Sequence, residues 1–192
     1  MNKLLLTASI GSLLLTAPLA AQDLPDVDEL AEEHRVFIEA RGGVVAPTFD
    51  IADVATVGGS YGATVGLHMP SNWVLMASFD HGMHQDEPTE TVDIETLHYM
   101  AKLGYSLTGP VERGWEVLLN LGAGAVTFDI EGAAETSTYF AINAGGKILY
   151  HFNPSFAFVL SPQGDIAFTD EDELDASEAW VWPLTAGLRL TF

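Results

Sequence analysis

From Val36 to the last residue, apolar and polar positions alternate with a period of two in eight segments. These cover 36–47, 58–69, 72–83, 94–107, 114–128, 137–152, 154–168 and 179–192, each 12 to 16 residues long. The last is the clearest. Trp180, Trp182, Leu184, Ala186, Leu188, Leu190 and Phe192 fall on one face; Val181, Pro183, Thr185, Gly187, Arg189 and Thr191 fall on the other. A repeat of two predicts a β-strand with one apolar face. Segment seven sets Phe156, Phe158, Leu160, Ile166 and Phe168 against Ala157, Ser161, Gln163 and Asp165, and segments two, four and six follow suit. Segment five is less regular: Phe128 falls on its polar face, which predicts a β-bulge there.

The connections alternate in length. Met69-Pro70-Ser71-Asn72, Thr108 to Gly114 and Asn153-Pro154 are turn-like, whereas 48–57, 84–93, 129–136 and 169–178 are longer and mostly acidic. Long strands joined by short and long connections in turn predict an all-β, antiparallel, up-and-down eight-stranded barrel.

Periodicity alone leaves open which face looks inward. The polar face is mostly Gly, Ala, Ser, Thr and Asn with isolated charges, which suits a narrow lumen better than a solvated exterior. On the apolar face, aromatic residues gather near the short turns (Trp73, Tyr105, Trp115, Tyr150, Phe152, Phe156, Phe192) and again towards the other end (Tyr61, Phe79, Phe140, Phe168, Trp180, Trp182). Two aromatic girdles bounding an apolar band are the signature of a transmembrane barrel with its greasy face outward.

Charge and the N-terminus agree with this. Acids outnumber bases 27 to 7, for a net charge of −20, and cysteine is absent. So acidic a chain is not expected to bind nucleic acid, which requires Lys and Arg on phosphates. Residues 1–21 read as a secretory signal peptide: Lys3, the apolar run Leu4 to Leu15, then small residues up to Ala21. Residues 22–35 read as an acidic periplasmic arm, and 36–192 as the barrel.

With its signal peptide, eight amphipathic strands and a final AGLRLTF, the chain resembles the small outer-membrane β-barrel family of the OmpA membrane domain, OmpX and OmpW. The resemblance covers about residues 36–192. It implies an outer-membrane location in a Gram-negative bacterium, both termini periplasmic, among membrane lipid and lipopolysaccharide. Because the sequence stops at Phe192, no OmpA-like peptidoglycan-binding domain is expected after the barrel. The resemblance also implies that the terminal strand, with Leu184, Leu188, Leu190 and Phe192 at alternate positions, is the signal read by the barrel-insertion machinery.

The candidate chemistry lies inside. Glu39, Arg41, Asp80, Lys102, Glu116, Lys147, Asp165 and Arg189 all share the lumen parity. An eight-stranded barrel is just wide enough for side chains to fill. Four acids and four bases there predict an ion-pair plug, with Arg189 meeting Glu39 or Glu116, and with Asn120, Asn143, Gln163, His68, His98 and His151 completing the hydrogen bonds. The function expected is a structural or surface-interaction role with a plugged lumen. The alternative is an OmpW-like conduit for small hydrophobic molecules, with strand pairing broken near Pro162 or Pro183. No cofactor is expected. The acidic loops lack the spacing of a defined calcium site and are expected to hold divalent cations only loosely. Asp80-His81-x-x-His84-x-Asp86 has ligand types for a transition metal, but reads as a solvated loop rather than a metal site. No Ser–His–acid set shares a face, so no catalytic residues and no enzyme activity are expected.

Overall fold

Eight antiparallel strands follow one another around a closed wall: β1 (Arg35–Thr48), β2 (Gly58–His68), β3 (Trp73–Gln85), β4 (Asp93–Ser106), β5 (Gly114–Ile130), β6 (Ser137–Asn153), β7 (Phe156–Phe168) and β8 (Glu178–Thr191). Each pairs with the next, and β8 returns to β1. The computed structural model describes residues 35–48, 55–85, 93–109, 111–130, 136–169 and 178–192. The expected signal peptide (1–21), residues 22–34 of the expected arm and the middles of the four long connections lie outside the described residues.

The wall is sheared as it closes. Following the partners Phe37, Gly66, Met76, Lys102, Gly122, Asn143, Asp165 and Val181 once round leads to Pro47, ten residues further along β1 than the start. Eight strands with such a stagger tilt by about 40°. This stagger decides which side chains share a level in the lumen.

Inward and outward positions follow the alternation. Leu75, Leu103, Leu121, Leu160, Leu184 and Leu188 are exposed on the outer wall, whereas Glu39, Lys147 and Arg189 are buried. An apolar exterior around a charged interior inverts the order of a soluble barrel. Aromatic pairs band the exterior at the turn end: Trp73 with Tyr105, ring centroids 5.1 Å apart, and Trp115 with Tyr150, 5.0 Å apart. At the loop end Phe79 meets Tyr99 (5.3 Å), while Phe140–Phe168 and Trp180–Trp182 stack. The turns are tight because the backbone permits it: Asn72 and Gly109 adopt φ of 67° and 75°.

The bulge expected at Phe128 is absent. β5 keeps an unbroken register with β4 and β6 through Phe128, whose ring points into the lumen. It packs there with Met100, Val126 and Tyr139 over the small residues Ala141, Ala167 and Ala179. The register shift lies instead on β6, between His151 and Asn153 against β7.

Candidate functional site in the lumen

The interior charges form centres spaced along the barrel axis. Nearest the turn end is Glu116, the third residue of β5. Its two carboxylate oxygens meet His68 Nε2 at 3.2 Å and His151 Nε2 at 2.8 Å. All three side chains are buried, and they adjoin a small cavity of about 20 Å³ bordered by Arg35, Phe37 and Arg189.

The next centre is Glu39. Arg189 donates to its Oε1 through Nε (2.8 Å) and Nη2 (2.6 Å), Lys147 Nζ donates to Oε2, and Arg41 Nε lies 3.9 Å from Oε2. The Arg189 guanidinium also lies over the Phe37 ring, 3.8 Å from its centroid. Three cations around one carboxylate would repel one another in the open. Here the two arginines have second neighbours: Arg189 has the Phe37 ring, and Arg41 turns its Nη2 to both oxygens of Asp80 (2.9 and 3.1 Å) and its Nη1 to Ser161 (3.0 Å).

Further towards the loops, Asp165 accepts from His98 Nδ1 (2.7 Å) and Asn143 Nδ2 (2.6 Å). Asn143 Oδ1 accepts from Asn120 (2.8 Å), and Gln163 joins Asn120 and Lys102. The structure thus brings five of the eight candidate charges into carboxylate pairs with Lys or Arg: Glu39, Arg41, Asp80, Lys147 and Arg189. The ion-pair partners of Glu116 are histidines. Asp165 meets a histidine rather than Lys or Arg. Lys102 forms no ion pair with a described carboxylate and donates to the Gln163 amide at 3.2 Å. Of the two partners expected for Arg189, the structure selects Glu39, its direct neighbour across the β1–β8 seam.

Long lumen side chains need room, and inward glycines sit opposite them. Gly66 pairs with Phe37, Gly62 with Asp80, Gly122 with Lys102 and Gly145 with Gln163. A Cβ on Gly122 would lie 2.8 Å from Lys102 Cγ, and one on Gly145 2.6 Å from Gln163 Cδ. This large–small pairing across strands fills the lumen without forcing the wall apart.

Pro162 and Pro183 do not shift the register of β7 or β8. Pairing nevertheless skips Gly146–Pro162 and Lys147–Ser161 on one side of β7, and Gln163–Pro183 and Gly164–Trp182 on the other. Pro162 has no N–H to offer Gly146; the Gln163 side chain donates to that carbonyl instead, at 2.8 Å.

The would-be metal motif is split by its own alternation. Asp80 and His84 point inward, His81 points outward, and Asp86 lies outside the described residues. On the outer wall His81 bridges two other side chains. Its Nδ1 is 2.6 Å from Tyr61 Oη, and its Nε2 is 3.1 Å from Glu95 Oε2. This trio, the role of Phe37 and the two-histidine grip on Glu116 were not predicted from sequence.

Other solved structures share this architecture. Neisserial surface protein A superposes with a TM-score of 0.60 at 13% identity, covering 83% of this chain and 97% of that one. The fold is that of the small outer-membrane β-barrels. Among these barrels, the outer membrane protein OprG from Pseudomonas aeruginosa gives 0.59 at 14% identity, over 83% and 96% of the two chains. The N-terminal β-barrel domain of Pseudomonas aeruginosa OprF gives 0.56 at 18%, over 82% and 97%. No family model and no curated protein matches the sequence.

Proposed function

We propose that this chain is a non-enzymatic outer-membrane barrel of a Gram-negative bacterium, with a structural or surface-interaction role, whose side chains seal the lumen. The observation that carries the sealing is the Glu39 centre, where three buried cations and one carboxylate close on each other across the interior. An ion entering the lumen would have to break contacts whose loss costs roughly 3–5 kcal/mol. The pairing skipped at Pro162 and Pro183 is the break expected of a lateral conduit for small hydrophobic molecules. What favours the seal is that the Gln163 amide takes up the Gly146 carbonyl there and that the lumen beside it is filled by buried Ser161, Gln163 and Lys147. The short turns and both termini belong in the periplasm and the acidic loops outside, among lipopolysaccharide and loosely held divalent cations. β8, with Leu184, Leu188 and Leu190 exposed on its outward face and Phe192 exposed just after it, is the strand offered to the barrel-insertion machinery.

Liposome swelling with refolded protein tests the seal. No swelling is expected with ions, sugars or small hydrophobic solutes; swelling with any of them overturns it. In planar bilayers the wild type is expected to be silent and Arg189→Ala to open. Silent traces from both would remove the Glu39 centre as the seal.

A further inference from the structure

In a chain of net charge −20, the cavity at the turn end is basic. Arg35, His68, His151 and Arg189 border it, with Glu116 as its acid. Arg35 shares the inward parity of Phe37 and Glu39 and makes no ion pair among the described residues. Arg189 is only partly engaged: its Nε and Nη2 both turn to Glu39. A guanidinium is a rigid fork, so Nη1 points away from that carboxylate.

His68 carries a further charge. Its Nδ1 lies 3.3 Å from the Met69 carbonyl oxygen and its Nε2 3.2 Å from Glu116 Oε1. Both oxygens only accept, so the two bonds exist together only when the ring holds two protons and is positive. His151 gives its Nε2 proton to Glu116 Oε2, at 2.8 Å, while its Nδ1 is buried with no partner among the described residues. Each oxygen of Glu116 therefore already has a histidine on it, and His68 alone neutralises the carboxylate.

Bases are in excess at this end. From the turns up to the Glu39 centre, Arg35, Arg41, Lys147 and Arg189 stand against Glu39, Asp80 and Glu116, four against three, and protonated His68 widens the gap. In the β4–β5 turn beside the cavity, exposed Glu112 and Arg113 offset each other. Unbalanced charge shielded from water calls for a counter-ion. The cavity sets the size of that ion: about 20 Å³ is the room of one small sphere.

We propose that this cavity is an anion site sized for chloride, with Arg35, Nη1 of Arg189 and Nδ1 of His151 as its donors. To donate there, His151 must hold a second proton, as His68 does. The two imidazolium rings then share the Glu116 carboxylate, and the anion balances the charge left over. The charged groups that face these two rings are Arg35 from β1, Glu116 from β5 and Arg189 from β8. Chloride binding and protonation of His151 therefore favour each other. The site breaks none of the bonds to Glu39, so it does not depend on whether the lumen conducts.

Nitrogen NMR of the histidine rings tests it, on the full barrel refolded into zwitterionic micelles. Sodium chloride is titrated against sodium gluconate at equal ionic strength, gluconate being too large for the cavity. The expected result is a saturable shift of the His151 ring nitrogens in chloride and none in gluconate. Half-saturation should rise roughly tenfold in Arg35→Gln, the worth of one charge-assisted hydrogen bond. In the wild type it should also rise between about pH 5.5 and pH 8, as histidines lose their charge. His151→Gln, whose amide can keep the bond to Glu116, should abolish the gain in urea midpoint that chloride gives the wild type over gluconate. Equal shifts in both salts would mean screening alone and would remove the site. So would no shift, an affinity indifferent to pH, or saturation unchanged in Arg35→Gln. Folding is read in parallel from the heat-dependent shift in gel mobility. A folded barrel that ignores chloride removes only this proposal, whereas one that conducts in planar bilayers removes the seal and leaves the site standing.

Discussion

Glu39 and Glu116 are both buried glutamates on inward positions of neighbouring lumen layers, yet they are neutralised in different ways. Glu39 is gripped by Arg189 and Lys147, with Arg41 at 3.9 Å, and the two guanidiniums among these partners stay charged under ordinary conditions. The ion-pair partners of Glu116 among the described residues are His68 and His151. When its carboxylate is lost, a histidine can shed its proton and remain a neutral hydrogen-bonding ring; an arginine cannot. Glu39 is therefore a rigid knot, whose members depend on one another for neutralisation. Glu116 is a clasp, whose partners tolerate its loss. The knot sits where the first and last strands meet, and the clasp near the turn-side mouth.

The largest expected effect sharpens this difference. Glu39→Gln should lower unfolding stability in lipid by roughly 3–5 kcal/mol, because it strands two buried cations. Glu116→Gln should cost less, roughly 1–3 kcal/mol, the loss of charge-assisted hydrogen bonds to groups that can go neutral. Urea titrations of the two refolded variants compare them directly, and equal losses would break the distinction. Next in size is Phe37→Leu, which keeps apolar bulk beneath Arg189 but removes the ring face; a cost of about 0.5–2 kcal/mol is expected in the same titration. Combined with Glu39→Gln, its effect should depart from additivity, since both mutations act on Arg189. The smallest effect is expected right beside the knot, at Thr64, the direct cross-strand partner of Glu39 on β2. The Thr64 hydroxyl is buried without a hydrogen-bond partner among the described residues. Thr64→Val should therefore change stability by no more than about 0.5 kcal/mol. A large loss would mean that the hydroxyl is held by a partner after all, the neighbouring knot included.

Much of the architecture was legible because a two-residue period is a local property. The observed strand limits fall within two residues of the sequence reading at nearly every end, and the residues placed on the lumen face by parity do lie inside. The partners were not legible. Which side chains meet across the interior depends on the ten-residue stagger of the closed wall, a quantity that no single strand encodes. Arg189 therefore had two plausible acids in the sequence, and Lys102 seemed to have a carboxylate but meets an amide. Phe128 shows a different failure. Its parity was read correctly, but a large ring in a lumen of small residues suggested a bulge. The space comes from Ala141, Ala167 and Ala179 on three other strands, a complement visible only once the strands are arranged in a ring. The Tyr61–His81–Glu95 chain was missed for a similar reason: its three members come from three strands, and only the pairing makes them neighbours.

The position of Arg189 opposite Glu39 has a consequence for how the wall closes. A slip of one residue between β1 and β8 would turn every side chain to the wrong face, so the alternation forbids it. A slip of two keeps every face correct and is invisible to the alternation. In one direction it would set Arg189 against Arg41, and in the other against Phe37, leaving Glu39 opposite Gly187. The ion pair thus works as an alignment mark. It distinguishes the native closure from the two nearest wrong closures that the greasy and polar faces alone would accept.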